Sequence, residues 1–262
     1  MLGEQIIRLA FFLGSLAAVA GWEVFAPRRP LTVSKARRWV TNLSLVVIDT
    51  VVVRVLLPVL PVGMALMAQE HGWGILNIIM LPIWVKIILA VVALDFVIYL
   101  QHVLFHFLPI LWRLHRMHHT DLDIDVTTGN RFHPVEIVLS IGIKLAAVAL
   151  IGPPLVSVVI FEVVLNATSQ LNHGNIRIQE TLDRWLRLIV VTPDMHRVHH
   201  SVITRETNSN FGFNLPWWDR LCGTYRSQPE HGHTAMNIGL KEFRDAAELT
   251  LGRLLVQPFD RS

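Results

Sequence analysis

The chain has 262 residues and a formal net charge of +3, and it is 52% hydrophobic but only 16% charged. A soluble domain has about 25% charged residues, and the mean hydropathy here is +0.47. This composition excludes an ordinary water-soluble domain and predicts an integral membrane protein. Nucleic-acid binding is not indicated, because the basic residues lie beside the apolar runs.

Apolar runs near residues 6–24, 43–67 and 75–100 are long enough to cross the bilayer, which takes roughly 20 residues. A further apolar stretch, 135–171, is broken at Gly152-Pro153-Pro154, so its halves predict a tight helical hairpin. We therefore expect an all-α membrane bundle of about three transmembrane helices plus the hairpin, in one domain covering 1–262. The first run ends in a sequence like a signal-peptidase site, but its positive region is weak, so we interpret it as a retained helix.

The orientation follows from the basic segment 28–38, which lies between the first two runs and is expected on the cytoplasmic side. Counting crossings from this segment puts the loop 69–73 outside. The same count brings the ends of the third helix and of the hairpin back to the cytoplasmic side. There we expect a histidine-rich helical cap, and the positive net charge suits contact with anionic headgroups.

Histidines recur in a regular pattern: His102-x3-His106, His115-x2-His118-His119, His173, and His196-x2-His199-His200. Residues three and four apart share a helix face, so each motif directs several ring nitrogens toward one point. Neutral imidazole is a good ligand for iron, zinc and copper. Nine imidazoles are enough for two metal ions.

Asp95 and Tyr99 share one stripe of the third helix with His102 and His106, at spacings of four, three and four residues. A carboxylate within a membrane segment costs about 2.5–3.5 kcal/mol on insertion scales. We expect Asp95 to accept a hydrogen bond from a ligating histidine or from Tyr99, so both are candidate catalytic residues that act behind the ligands. The alternative is an aspartate that reaches for the membrane surface.

Three further segments belong to the expected cap. Residues 109–119 predict a short amphipathic helix, and a second one begins at Thr192-Pro193-Asp194, with Asp194 as its N-cap. The aromatic segment 210–224 either packs over the histidines as a lid or lies on the membrane surface. Cys222 is the only cysteine, which excludes an internal disulfide, and we expect it to be a packing residue.

These motifs together resemble the fatty acid hydroxylase superfamily, also called the sterol desaturase family, whose members are histidine-box integral membrane di-iron oxygenases. The resemblance covers about 95–225. It rests on Trp-Arg-Leu-His-Arg-Met-His-His, Arg-Phe-His-Pro-Val-Glu, Asn-His-Gly-Asn-Ile, Thr-Pro-Asp-Met-His-Arg-Val-His-His-Ser and Trp-Asp-Arg-Leu-Cys-Gly-Thr, together with the first histidine pair. Many relatives have phenylalanine where Cys222 stands.

The resemblance implies a non-haem di-iron enzyme that uses O2 to hydroxylate or desaturate a lipid C–H bond. The metal ligands that it implies are His102, His106, His115, His118, His119, His173, His196, His199 and His200. His133 is a further candidate ligand, although it is equally suited to cap the helix that follows it. His71, His231 and His233 lie outside the motifs. Zinc is an alternative to iron in such a shell.

The reaction also requires partners. No flavin fingerprint appears in the sequence, so a separate electron donor of ferredoxin or cytochrome type is implied. The lipid is expected to enter from the bilayer between the second and third helices and the hairpin. This route passes Trp84, Phe96, Phe105 and Phe107.

Three other classes compete with this interpretation. A metal transporter would carry histidines along a path open to both sides of the membrane, and a bis-histidine haem protein would use single facing histidines. A zinc hydrolase would need an open coordination position and a general base, for which Glu136 and Asp194 are candidates.

Overall fold

The computed structural model of the protein describes residues 2–260. In this part of the chain the α-helices are α1 (Leu2–Phe25), α2 (Lys35–Leu56), α3 (Pro61–His71), α4 (Ile75–Ile78), α5 (Ile83–Phe107), α6 (Pro109–His119), α7 (Pro134–Ile151), α8 (Leu155–Asn172), α9 (Glu180–Leu186), α10 (Pro193–His199), α11 (Thr204–Thr207), α12 (Trp217–Leu221), α13 (Gly232–Ala235) and α14 (Leu251–Val256). Three short 3-10 turns lie at Thr128–Asn130, Ala246–Leu249 and Gln257–Phe259. Apart from two isolated bridges, Pro27 with Ile176 and Ser201 with Ile238, residues 2–260 contain no strand pairing. The predicted all-α class is confirmed.

Five stretches of the described chain are long and apolar enough to cross a membrane. They are Gly3–Phe25, Lys35–Ile78, Ile83–Phe107, Pro134–Ile151 and Leu155–Asn172. Many of their large apolar side chains are exposed on the outside of the bundle, as expected of helices that face lipid. The predicted apolar runs therefore correspond to helices.

Prolines shift two of the predicted boundaries. The second apolar run is not one helix, because α2 ends at Leu56 and α3 begins at Pro61, with Pro58 between them. The third helix begins at Ile83, after Pro82, instead of near residue 75, and continues to Phe107. Proline has no N–H to donate to the preceding turn, so it is favoured at the start of a helix and breaks one in its interior.

The predicted hairpin is present between α7 and α8. Gly152 ends α7 in the left-handed region, with φ of 65°, and Pro154 precedes α8. The turn packs on the loop before α4, where a Cβ placed on Gly74 would lie 2.2 Å from the backbone nitrogen of Gly152. Glycine is needed at both positions, since φ at Gly74 is 89°.

Apolar side chains of α3, α5, α7 and α8 form the core of the bundle. Its buried members are Val62, Ala65, Leu94, Ile98, Ala147, Val148, Val158, Phe161 and Phe213. This packing brings the C-terminal ends of α5 and α8 to the same end of the bundle. His106 lies in the last turn of α5 and His173 directly follows α8.

A buried arginine connects the bundle to the cap. Arg38 on α2 donates to both carboxylate oxygens of Asp121, at 2.7 and 2.8 Å, and to Asp125 at 2.5 Å. All three side chains are almost completely buried. Breaking a buried ion pair typically costs about 3–5 kcal/mol, so this network fixes the segment that directly follows His119.

Candidate metal centre

Nine histidine side chains that are distant in the sequence meet at this end of the bundle as two adjacent groups, and all nine are buried. Within each group, one ring nitrogen per residue lies within 4.8 Å of the others. The five-histidine group contains His102, His106, His115, His119 and His199. The four-histidine group contains His118, His173, His196 and His200. All nine ligand candidates are thus brought together, and each group can hold a metal ion.

Helix geometry divides each His-x2-His-His motif between the two groups. On α6, His115 and His119 are four residues apart and face the five-histidine group, whereas His118 faces the other. The end of α10 reverses this arrangement, because His196 and His200 face the four-histidine group and His199 faces the first. Adjacent residues of a helix point about 100° apart, so neighbouring histidines cannot reach the same point.

Most of the rings are held from outside through Nδ1. Four rings face backbone carbonyl oxygens: His102 faces Phe211 at 2.7 Å, His118 faces Arg131 at 3.1 Å, His173 faces Ser169 at 2.6 Å and His199 faces Ser209 at 2.8 Å. Two rings face side chains: His106 faces the Asn208 side-chain oxygen at 3.3 Å, and His115 faces the Glu136 carboxylate at 2.6 Å. A carbonyl oxygen only accepts, so the facing Nδ1 carries the hydrogen. The Nε2 atom of each of these rings then presents a lone pair to the interior of its group.

The Nε2 atoms come close to one another, and between His118 and His173 no proton is available. His118 Nε2 and His173 Nε2 lie 3.1 Å apart, and both rings donate through Nδ1 to a carbonyl. The Nε2 atoms of His173 and His196 are also 3.1 Å apart. Facing lone pairs repel, and a cation between them removes the repulsion. The donor set therefore fits a metal ion.

Unpartnered ring nitrogens support the same conclusion. Neither nitrogen of His119 or of His200 has a hydrogen-bond partner among the described residues, although both rings are buried. A buried polar atom without a partner costs about 1–3 kcal/mol. Bound metal ions would satisfy these atoms.

Burial keeps the cap histidines in the form that binds metal. Desolvation lowers the pKa of His173 to about 3, although its bond to the Ser169 carbonyl opposes this shift. Burial, followed by the neighbouring imidazoles, also lowers the pKa of His118, His196 and His200 well below the ordinary value. These rings are neutral at pH 7, and neutral imidazole is the ligand form.

Asp95 makes no hydrogen bond to a histidine or to Tyr99, so the predicted partner is wrong. Its Oδ2 accepts hydrogen bonds from Trp218 Nε1 at 2.8 Å and from the Leu215 backbone N–H at 3.2 Å. Asp95 therefore secures the aromatic segment 210–224 to α5.

Tyr99 contacts the same segment. Its hydroxyl lies 3.0 Å from Thr224 Oγ1, which donates to Asp219 at 2.7 Å. Asp219 also accepts from the backbone N–H groups of Phe211 and Gly212 at 2.8 and 2.9 Å. The carbonyl oxygen of Phe211 in turn accepts from His102. Tyr99 and Asp219 are thus connected to His102 through the segment 210–224, and the role of Tyr99 stays a prediction.

The two alternatives for this aromatic segment each describe part of it. Phe211 is fully buried, and its ring centroid lies 5.0 Å from that of His106 and 5.5 Å from that of His199. Trp217 and Cys222 are exposed. The segment therefore covers the histidines at one end and lies on the surface at the other, and the expectation that Cys222 is packed is wrong.

The remaining candidate residues lie outside both groups. His133 caps α7, accepting from the Val135 N–H through Nδ1, and its Nε2 lies 3.2 Å from the Leu255 carbonyl. Thr192, not Asp194, caps α10, because the Thr192 side chain accepts from Met195 N. Asp194 instead forms ion pairs with Arg28 at 3.0 Å and with Arg197.

The expected lipid route is only partly open. Trp84 and Phe107 are exposed on the surface of α5, but Phe105 is buried and Phe96 packs on Trp218 with ring centroids 4.7 Å apart. A cavity of about 450 Å³ reaches His106. It is lined by His106, Trp112, Arg116, Val202, Thr204, Thr207, Asn208, Leu240, Lys241, Glu242 and Phe243.

Sequence reasoning did not assign four supporting residues. Glu136 was considered only as a general base, although a carboxylate in an apolar helix is itself a signal of a paired, functional residue. Arg38 was assigned only to the basic segment 28–38, and the structure places it in the first turns of α2. Asn208 has no signal in a single sequence, because its partner His106 is more than a hundred residues away, and Asp219 bonds mainly to backbone N–H groups, which no side-chain pattern reveals.

Comparison with known proteins identifies the family of this chain. Residues 87–224, just over half of the chain, match the family model described as Fatty acid hydroxylase. The chain therefore belongs to the fatty acid hydroxylase family, as its histidine motifs indicate. No solved structure gives a significant match.

Curated relatives match more than half of the chain. The chain is 33% identical over 180 residues to ornithine lipid hydroxylase OlsE of Rhizobium tropici, a match that covers 69% of this chain and 52% of that protein. It is 30% identical over 141 residues to alkylglycerol monooxygenase of Homo sapiens, covering 54% of this chain and 31% of that protein. The Danio rerio alkylglycerol monooxygenase gives 30% identity over 142 residues, with the same coverage. The chain spans about half the length of these relatives or less.

Proposed function

We propose that this chain is a membrane-bound non-haem di-iron oxygenase that hydroxylates a C–H bond of a lipid. The observation that carries the proposal is the pair of adjacent, buried, all-histidine groups at the end of a bundle whose helices can cross a membrane. Five and four imidazoles are more than one ion requires. Membership of the fatty acid hydroxylase family supports the same reaction class.

Hydroxylation has a fixed balance. One atom of O2 enters the C–H bond, the other leaves as water, and the reaction consumes two electrons and two protons. When bound, the two iron ions supply the redox chemistry that activates dioxygen. We propose that the electrons come from a separate donor of ferredoxin or cytochrome type.

The described side chains hold this centre in place. Carbonyl oxygens and the Glu136 carboxylate fix the ring orientations through Nδ1, as the outer partners of metal-bound histidines do. Burial of all nine rings limits the access of bulk water to the reacting position. Asp95 and Tyr99 stabilise the segment that carries the Phe211 carbonyl, so we propose that they position ligands and do not touch the substrate.

The substrate is proposed to be a lipid with a polar headgroup. The relatives are named for an ornithine lipid and for alkylglycerol, and both names describe hydroxylase or monooxygenase activity. These names favour hydroxylation over desaturation here. The cavity beside His106 is lined by charged, hydroxyl and aromatic side chains, which suits the polar end of such a molecule.

Two alternatives receive less support. A zinc hydrolase needs a free general base, but Glu136 is bonded to His115 and Asp194 is paired with Arg28 and Arg197. A metal transporter needs a path open to both sides, and both histidine groups are enclosed at one end of the bundle. We propose that this end faces the cytoplasm, because the basic segment after α1 lies beside it.

Metal analysis of protein purified in detergent tests the proposal. Growth on iron-57 is expected to give about two irons per chain by elemental analysis, with a Mössbauer spectrum of a coupled pair. Turnover is then measured with candidate lipids, a chemical reductant and O2. One tightly held zinc per chain and no iron, even after growth in excess iron, would contradict the di-iron assignment and return the hydrolase to consideration.

A further inference from the structure

An apolar surface lies outside the candidate membrane spans, on α9, on the turn that follows it and on α12. We call it the α9–α12 face. It consists of the exposed side chains of Leu182, Trp185, Leu188, Ile189, Trp217 and Leu221. Leu221 is 77% exposed and Trp185 is 67% exposed. Six large apolar side chains clustered in this way mark a surface that contacts something other than water.

The α9–α12 face is held together by specific hydrogen bonds. Trp217 Nε1 donates to the Leu188 carbonyl at 2.7 Å, and Arg220 donates to the Arg187 carbonyl at 3.1 Å. Arg187 is itself paired with Asp183 at 2.6 Å. These bonds join two short helices into one continuous surface, so its exposure is a fixed property of the fold.

The position of α12 along α5 gives the depth of this face. Trp218, the neighbour of Trp217, donates to Asp95 and packs on Phe96. Asp95 is the central residue of the 25-residue helix α5, so at 1.5 Å per residue it lies about 18 Å from either end. The helix α5 is a candidate membrane span. A helix packed against its middle therefore lies within the depth of the bilayer and not above it.

Charges beside the face match a lipid surface. Arg184 on α9 is exposed beside the face, whereas the Arg220 guanidinium bonds to the Arg187 carbonyl and lies over the Tyr225 ring. Tryptophan is favoured near the headgroups. Basic side chains next to an apolar surface are attracted to anionic phospholipids. The depth of the α9–α12 face, its apolar composition and the positive charge beside it all indicate that lipid covers it.

We infer that the α9–α12 face is embedded in the leaflet nearest the histidine groups, with Arg184 directed at anionic phospholipid headgroups. The cap is therefore not wholly outside the membrane, because part of it enters the leaflet beside α5. This inference does not depend on the reaction that the histidine centre carries out.

The single cysteine provides a probe at the right position. Cys222 directly follows Leu221 and is exposed, so a nitroxide label can be attached without mutation. The labelled full chain is reconstituted in vesicles of phosphatidylcholine and phosphatidylglycerol, and power saturation compares the access of O2, which is enriched in lipid, with that of a water-soluble nickel chelate. A label at Cys222 is expected to be open to O2 and protected from nickel.

Two variants make the outcome decisive. In a Cys222→Ser background, Trp185→Cys is expected to give the same lipid signature as Cys222, and Lys241→Cys, in the polar part of the cap, is expected to be open to nickel. Equal nickel access at all three positions would place the face in water and overturn the inference. Protection from both reagents, or spin–spin broadening between chains, would show that a protein partner or a second copy covers the face and would overturn it as well.

Discussion

His115 Nδ1 and Glu136 Oε1 lie 2.6 Å apart, a hydrogen bond that links a proposed metal ligand on α6 to a buried carboxylate on α7. This contact predicts that Glu136→Gln weakens metal binding by about 10- to 100-fold, because the uncharged amide no longer supports the ring in the same way. The measurement is metal retained per chain against a graded series of chelator concentrations.

The matched control for this change is Glu180→Gln, at an exposed position in the first turn of α9. It should retain metal as the unmodified chain does. Equal retention in both variants would mean that Glu136 does not support the ligand.

His118→Ala should remove one member of the four-histidine group and reduce the metal content from about two ions per chain toward one, with loss of turnover. Insertion in the membrane should persist, since it depends on the apolar helices. Elemental analysis of the purified variant measures the change. His133→Ala is the control, because it removes a helix cap but no proposed ligand. Full metal content and turnover in His118→Ala would refute the assignment.

Gly129→Ala should disturb the four-histidine group without altering any ligand. A Cβ at this position would lie 2.5 Å from the Ser169 carbonyl oxygen and 3.1 Å from His173 Nδ1, so the bond between these two groups must shift. We expect lower metal content and a lower melting temperature. Gly142→Ala, whose Cβ meets nothing within 4 Å, should leave both unchanged. If Gly129→Ala and Gly142→Ala have the same metal content and melting temperature, the close packing at His173 does not contribute to metal binding or stability.

Tyr99→Phe separates positioning from chemistry. It removes one hydroxyl that bonds to Thr224, so we expect a loss of about 0.5–1.5 kcal/mol in the free energy of unfolding and near-normal metal content. Asp219→Ala should be more severe, because the Phe211 and Gly212 N–H groups would lose their acceptor. A fall in kcat of about 100-fold or more for Tyr99→Phe, with normal stability, would instead indicate proton transfer to substrate.

Asp95→Asn should be tolerated, since an amide oxygen can still accept from Trp218 Nε1 and the Leu215 N–H. Asp95→Leu leaves both donors without an acceptor, at about 1–3 kcal/mol each, and should lower the melting temperature and slow turnover through movement of the segment 210–224. Thermal unfolding in detergent compares the two variants. If Asp95→Asn loses metal and Asp95→Leu does not, the negative charge of Asp95, and not its hydrogen bonds to the segment 210–224, supports metal binding.

Much of the centre could be predicted from spacing, because helix periodicity fixes which face a histidine occupies. The pairing of His102 with His106 and the placement of His173 at the end of the hairpin follow in this way. The division into five and four could not be predicted. Helix periodicity separates neighbouring histidines within each motif, but which histidines of different helices share a group depends on how these helices meet, and no local pattern encodes this.

Long-range partners explain the other differences. Asp95 was expected to bond to a ligating histidine or to Tyr99, but its partner Trp218 is 123 residues away in the sequence. Prolines mark the helix breaks before Pro61 and Ile83, but the high hydropathy of the surrounding runs favoured a prediction of continuous helices. Proline is therefore the better guide to where a long apolar run is divided.

The way α6 and α10 each face both histidine groups has a mechanical consequence. The separation of the two groups is set by one turn of rigid helix at each side, and no bridging carboxylate lies among the residues of either group. A carboxylate can swing between binding modes, whereas neighbouring rings on one helix move only together. Any displacement of α6 or α10 therefore moves histidines of both groups at once. The two histidine groups are expected to form together and to be lost together.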